Sequence, residues 1–216
     1  MNNKKHNNMK KTIKTLILTT LMVMAGSLSA QSLINGGFDF MQLRVGDNKP
    51  ANYPGFHVGA ATNVALSRHI GVTPGIFFSR HTADNKTAVA GITHHSKYTE
   101  STVNIPVLPN VRLYISEISY FYIFAGPEFN IGISAKSDNW VEGLDSHLEK
   151  NYYDDKTVSA AEEMRRYNIS VMFGAGVKLD FVNITLGATG NIFNQHYKDD
   201  INQKAYRAFV SAGFVF

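Results

Sequence analysis

The stretch YNISVMFGAGVKL, Tyr167 to Leu179, decides the fold. Tyr167, Ile169, Val171, Phe173, Ala175, Val177 and Leu179 fall on one side of an extended chain. Asn168, Ser170, Met172, Gly174, Gly176 and Lys178 fall on the other. Strict period-two alternation is the signature of a strand with one apolar face. The next stretch repeats it, with Val182, Ile184, Leu186, Ala188 and Ile192 against Asn183, Thr185, Gly187, Thr189 and Asn191. The last sets Tyr206, Ala208, Val210, Ala212, Phe214 and Phe216 against Arg207, Phe209, Ser211, Gly213 and Val215.

Working outward towards the N-terminus, five noisier runs follow the same rule, at 33–43, 55–67, 70–80, 98–115 and 120–135. In the first, Ile34, Phe38 and Phe40 oppose Asn35, Asp39 and Met41. In the fifth, Phe121, Ile123, Ala125, Phe129 and Ile131 oppose Tyr122, Glu128 and Asn130, with Phe124 an apolar exception on the polar side. Eight strands are therefore expected. Pro74, Pro106, Pro109 and Pro127 lie inside them and predict bulges or bends, because proline removes a ladder donor.

The polar face separates a membrane barrel from a soluble sandwich. It is rich in Gly, Ser, Thr and Asn and poor in Lys and Glu. A soluble sheet turns long charged side chains outward, whereas an eight-stranded lumen has room only for small polar ones. The connections, near 44–54, 68–69, 81–97, 116–119, 136–166, 180–181 and 194–204, alternate long and short. That is the rhythm of periplasmic turns and extracellular loops. Aromatic residues gather at both ends, Tyr114, Tyr120, Phe121, Phe181, Phe214 and Phe216 by the short turns. Tyr53, Phe56, Phe78, Tyr98, Tyr167, Phe193 and Tyr206 lie by the long loops, as two interfacial girdles would. The expected fold is an all-β, eight-stranded antiparallel up-and-down transmembrane β-barrel.

The first 30 residues carry Lys4, Lys5, Lys10, Lys11 and Lys14, then an apolar run from Leu16 to Leu28, then Ala30. A basic head, a short apolar run and a small residue before the cut predict a cleaved signal peptide over 1–30. The barrel domain then occupies 31–216. After cleavage 16 basic and 17 acidic residues remain, so the high isoelectric point belongs to the leader and gives no case for nucleic acid. Cys is absent, so an exported fold must hold without disulfides.

Asp39, Arg112, Glu128, Lys178 and Arg207 are the charges on the polar face, mixed in sign, and are the candidates for lumen ion pairs. Arg112 and Glu128 fall on neighbouring strands and are expected to pair. The histidines His57, His69, His81, His94, His95, His147 and His196 show no ligand spacing, so neither metal nor cofactor is expected. Loop 136–166 holds eight acidic and five basic residues, and its Val158 to Arg166 stretch predicts a short helix. Its carboxylates suit a solvated loop better than cations bridging lipopolysaccharide phosphates.

Four segments carry a family resemblance: Asn104 to Leu108, Phe124 to Glu128, Phe173 to Val177 and Ala212 to Phe216. In this order they resemble the PorT-like outer-membrane β-barrel family, over about 33–216. The resemblance implies an eight-stranded barrel in a Gram-negative outer membrane. One named member is linked to a protein-secretion system, most have no assigned activity, and no catalytic residues carry over. Phe214 and Phe216 at the end of the last strand resemble the signal read by the barrel-assembly machinery, where an exposed strand edge pairs with a partner edge.

The reading that follows is a non-enzymatic barrel with a structural, adhesive or secretion-accessory role. Its partners would be outer-membrane lipid and lipopolysaccharide, the assembly machinery and secretion components. Both termini would be periplasmic and the long loops extracellular. Two alternatives stand beside it. A lipid A acyltransferase or deacylase would draw on Ser79, His81, His95 and Ser96, which no sequence pattern orders into a nucleophile–base pair. A soluble exported β-sandwich binding module would share the alternation.

Overall fold

In the computed structural model, alternation resolves into a closed ring. The structure describes residues 30–45, 51–89, 92–142, 147–153, 164–193 and 203–216. The strands are β1 (Ala30–Val45), β2 (Ala51–Ala65), β3 (Ile70–Val89), β4 (Ile92–Tyr114), β5 (Tyr120–Val141), β6 (His147–Asn151), β7 (Tyr167–Leu179), β8 (Val182–Asn191) and β9 (Gln203–Val215). Each neighbouring pair is antiparallel, β4 pairs with β5, and β1 pairs with both β2 and β9. The ring therefore has eight members, with β6 added outside it on β5. Closure leaves no free backbone edge in the ring, the condition for a sheet to live in lipid.

The apolar face points outward. Phe38, Leu113, Ile123, Phe173, Leu186 and Phe214 are each more than half exposed, while Asn35, Asp39, Asn104, Ser170, Asn183 and Ser211 are buried. A soluble sandwich has the reverse order, so that alternative falls. The outward apolar band covers roughly 34–40, 56–66, 70–78, 103–115, 121–133, 167–179, 182–192 and 206–216.

Large lumen side chains fit because a glycine on the next strand makes room. A Cβ on Gly174 would fall on the Phe124 ring, one on Gly187 on the Phe209 ring, and one on Gly59 on Phe77. Phe124, Met172 and Phe209 form one buried cluster. The apolar exception in the alternation is thus a core residue of the lumen.

The ends differ from expectation in three ways. The long connection at 81–97 is almost wholly strand and those at 44–54 and 136–166 are strand in part: β3 and β4 run to Val89 and Ile92, and β5 runs to Val141 with β6 paired back on it. Above the lipid neither face needs apolar side chains, so the period-two signal stops while the hydrogen-bond ladder continues. Tyr53, Tyr98 and Tyr120 turn inward, Tyr53 on Tyr98 with ring centroids 5.2 Å apart, and leave the girdles to residues such as Phe121, Phe181, Tyr167 and Tyr206. The prolines interrupt pairing across 107–109 and 125–127, while the register shift itself lies at Ser101/Thr102. Beyond that shift the inward parity changes, and Ala135 and Ser137 face inward where unbroken alternation from Glu128 would turn Ser134 in.

The short turns lie at 66–69, 115–119 and 180–181. Asp180 adopts φ 54° in the two-residue β7–β8 turn, the left-handed conformation such tight hairpins need and Asp tolerates. The expected leader, but for Ala30, and residues 158–163 of the expected loop helix lie outside the described residues.

Candidate functional site

The site is built by lumen parity. Positions 39 and 41 of β1, 57 of β2, 79 and 81 of β3, 104 of β4, 128 of β5 and 207 of β9 all point inward, and the registers 39↔55, 57↔79, 41↔207 and 39↔209 bring β1, β2, β3 and β9 side by side there. Arg207 reaches across the lumen and grips Glu128 with both carboxylate oxygens, Nη2 to Oε1 at 3.0 Å and to Oε2 at 2.7 Å. Its Nη1 donates to Ser79 Oγ at 3.2 Å, and Asn104 Nδ2 donates to the same oxygen at 2.7 Å. Glu128 is 2 % exposed. Two charges this deep stay in place because they hold each other, with Arg207 Nε left unbonded among the described residues, and removing either strands the other.

Asp39 stands beside this pair. Its Oδ1 lies 2.8 Å from His57 Nδ1, and its Oδ2 lies 3.3 Å from His81 Nε2, within ion-pair distance but not aligned for a hydrogen bond. His57 is wedged edge-on between Phe77 and Phe209, 6.0 and 5.7 Å between centroids. The result is a polar plug of five charged or ionisable side chains, Asp39, His57, His81, Glu128 and Arg207, plus Ser79 and Asn104. Glu128 and Arg207 line a cavity on each side of it, so the plug divides the lumen.

Just above the lipid band, Glu100 is 3 % exposed and accepts hydrogen bonds from the Tyr98 and Tyr153 hydroxyls, each at 3.3 Å. Burial pushes its carboxyl above the ordinary range, against the opposing pull of His81 and the two tyrosines. Burial and the Glu100 carboxylate push both tyrosine hydroxyls up as well. Arg166 lies over the Tyr153 ring at 5.2 Å and donates to its carbonyl at 2.7 Å. These residues cap the lumen.

Asp39, Glu128 and Arg207 therefore converge. Arg112 and Lys178 do not join them. The partner of Glu128 is Arg207, not Arg112. Arg112 bonds Asn110 Oδ1 at 3.0 Å and Asn63 Oδ1 at 2.8 Å near the short turns, with its guanidinium 5.6 Å from the Tyr120 ring centre. Lys178 Nζ donates to the Ile118 carbonyl at 2.9 Å, 5.7 Å from the same ring. The β4–β5 register sets Arg112 opposite Tyr122 and Glu128 opposite Pro106, six residues further along the ladder, which alternation alone does not report. Phe214 stacks on Phe181 at 6.3 Å, outward, and Phe216 is outward too, joined to Ser32 by two backbone hydrogen bonds.

Sequence reasoning did not assemble His57 and His81 into this site. His57 sits on the polar face of its run, and His81 falls one step past a strand end drawn too early. Continuing the β3 parity by two residues would have found it.

Ser79 Oγ accepts two hydrogen bonds, and His81 faces Asp39. His95 stacks on Trp140, centroids 4.7 Å apart, where β4 and β5 run on past the lipid band.

Among solved structures, the chain is similar to Ail, the attachment invasion locus protein of Yersinia pestis, at 17% identity and TM-score 0.47, covering 88% of this chain and 100% of that one. It is similar to Neisserial surface protein A at 9% identity and TM-score 0.46, covering 86% and 97%. It is also similar to the outer membrane enzyme PagL, at 11% identity and TM-score 0.34, covering 81% and 97%. No curated protein matches the chain. The model of a family described as outer membrane protein beta-barrel domain matches residues 29–197. With an apolar outer face, a closed ring and that match over most of its length, the chain belongs to the outer membrane protein beta-barrel domain family.

Proposed function

We propose that this outer-membrane barrel is non-enzymatic and non-conducting, and that it holds a recognition sheet above the membrane in an adhesive or secretion-accessory role. The observation that carries the reading is the length of β3, β4 and β5. They run 20, 23 and 22 residues, about twice the 9–11 that a membrane-crossing strand needs. From Thr82 onward β3 pairs only with β4 among the described residues, so the protruding four-stranded sheet of β3, β4, β5 and β6 has an edge along β3. An open edge of this kind accepts an extended partner segment by strand addition. Its outward face carries Asp84, Lys86, Lys97, Lys136 and Glu149, with Lys136 and Glu149 paired at 2.7 Å. The PorT-like resemblance favours a secretion component as the edge's occupant. The plugged lumen supports the absence of conductance, and the engaged Ser79 supports the absence of catalysis.

The short turns and both ends of the ring lie opposite this sheet, so we place the termini in the periplasm and the hairpins outside. Protease shaving of intact cells is expected to cut within 82–97 or 136–166; exclusive access at 115–119 would reverse the orientation. Replacing 83–98 by a two-residue turn joins Thr82 to Thr99 in their existing register. That variant is expected to assemble but to lose adhesion or secretion. Full activity in both assays would overturn the recognition role. Lipid A mass profiles of a deletion strain should match the parent, and an altered profile would restore the enzyme reading.

A further inference from the structure

The lumens of membrane barrels are ordinarily polar. Here much of the cavity surface in the half towards the short turns is apolar, beside Asn63, Thr73, Asn110, Asn183 and Thr185. Leu108, Phe124, Met172 and Phe209 wall a cavity of about 90 Å³ that lies below the plug. The Glu128–Arg207 pair closes it on the sheet side, and it runs down to Gln31, Asn63 and Tyr120 near the short turns. Tyr120 closes that end, bonded to Asn63 and Gln31 at 3.3 Å each and packed against Tyr114, Tyr122, Arg112 and Lys178.

Among the described residues, one buried amide on the wall is unspent. Asn35 is 6 % exposed; its Nδ2 donates to Ser211 Oγ at 3.2 Å, and its Oδ1 has no hydrogen-bond partner among the described residues. Turning the amide over exchanges the roles, since Ser211 can also donate, and again leaves one amide atom free. A buried amide atom without a partner is costly, and native interiors rarely keep one. A hydroxyl answers either orientation because it both donates and accepts. The apolar surface that Leu108, Phe124, Met172 and Phe209 contribute suits a hydrocarbon ring or chain beside that hydroxyl.

We propose that the short-turn half of the lumen binds a small, largely apolar molecule with a single hydroxyl, a phenol or a short-chain alcohol. Its ring or chain lies among Phe124, Met172 and Phe209, and its hydroxyl meets the Asn35 amide. This is independent of the recognition sheet, which lies on the far side of the plug.

The test uses the full barrel refolded into lipid nanodiscs and two fluorine NMR probes, 4-fluorophenol and fluorobenzene, with empty discs as the baseline. A saturable shift beyond the baseline is expected for both. Asn35→Leu is expected to weaken 4-fluorophenol about three- to tenfold and to leave fluorobenzene within about twofold, the share of one hydrogen bond. Ala61→Met, which fills the cavity from its buried wall, is expected to abolish both shifts. Leu108→Ala, which widens it, is expected to admit 5-fluoroindole and serves if the filled barrel does not assemble. Shifts equal to those of empty discs would overturn the site. So would shifts that Asn35→Leu leaves unchanged for both probes.

Discussion

The lower and upper halves of β3, β4 and β5 are the same strands in two solvents. Between 70 and 78 of β3 the outward residues are Ile70, Val72, Pro74, Ile76 and Phe78; from 82 to 86 they are Thr82, Asp84 and Lys86. The ladder does not change across that boundary, since β3 and β4 stay in register up to Val89↔Ile92. What changes is the surrounding medium. In lipid, the outside must be apolar and every inward polar group must find a partner in a narrow lumen. Above it, water satisfies either face. The lower half is therefore intolerant of substitution on both faces and the upper half on neither, except at its buried cap.

The largest effect should come from the plug. Arg207→Met leaves Glu128 buried without its partner and is expected to cost about 3–5 kcal/mol in urea unfolding from bilayers. The double variant Glu128→Leu with Arg207→Met should recover most of that, because well-packed apolar pairs replace buried ion pairs at little cost. If the double variant is as unstable as the single, the plug is held by more than this pair.

Next, the two solvents can be compared by one substitution. Val171→Arg, on the lipid face, should cost about 2–4 kcal/mol, and Thr93→Arg, outward in the protruding sheet, within about 0.5 kcal/mol. Equal effects in the same unfolding assay would erase the boundary drawn here. Ser170→Arg sharpens the point. A roomy lumen would make it the milder change, but Ser170 is 1 % exposed and bonded to Asn130 and Asn191 at 2.6 and 2.7 Å. It should be no milder than Val171→Arg.

A smaller effect is expected from Gly174→Ala. The new methyl meets the Phe124 ring and the Leu186 carbonyl, and overpacking of this kind costs about 1–3 kcal/mol. Pairing it with Phe124→Leu should restore part of the loss, and no recovery would mean that the backbone clash dominates.

The smallest effect is a pH dependence in the cap. Burial raises the Glu100 carboxyl above its ordinary value of 4.5 in the folded state. Ionising it therefore costs more folded than unfolded, so its contribution favours folding below that value and is lost as pH rises through the raised one. Glu100→Gln keeps an acceptor for Tyr98 and Tyr153 and should flatten hairpin stability across that interval, read by amide exchange in β4 and β5. An unchanged pH profile would remove Glu100 as its source.

Much of this was legible before any coordinates. Period-two alternation with Gly, Ser, Thr and Asn on one side determined the strand type, the inward and outward assignment and the ring of eight, because a narrow lumen and a lipid exterior each restrict what alternate residues can be. The same pattern placed Asp39, Glu128, Lys178, Arg112 and Arg207 on the inner wall. It could not say which of them meet. Facing partners across a barrel depend on tilt and stagger, which set the depth at which each strand presents a residue, and these are properties of the closed ring. That is why Arg207, on the last strand, rather than Arg112, on the neighbouring one, holds Glu128. Nor could alternation see β3 and β4 continue past the membrane, since water no longer enforces a pattern on either face. The wall belongs to the sequence; the plug, the cavity under it and the sheet above it belong to closure.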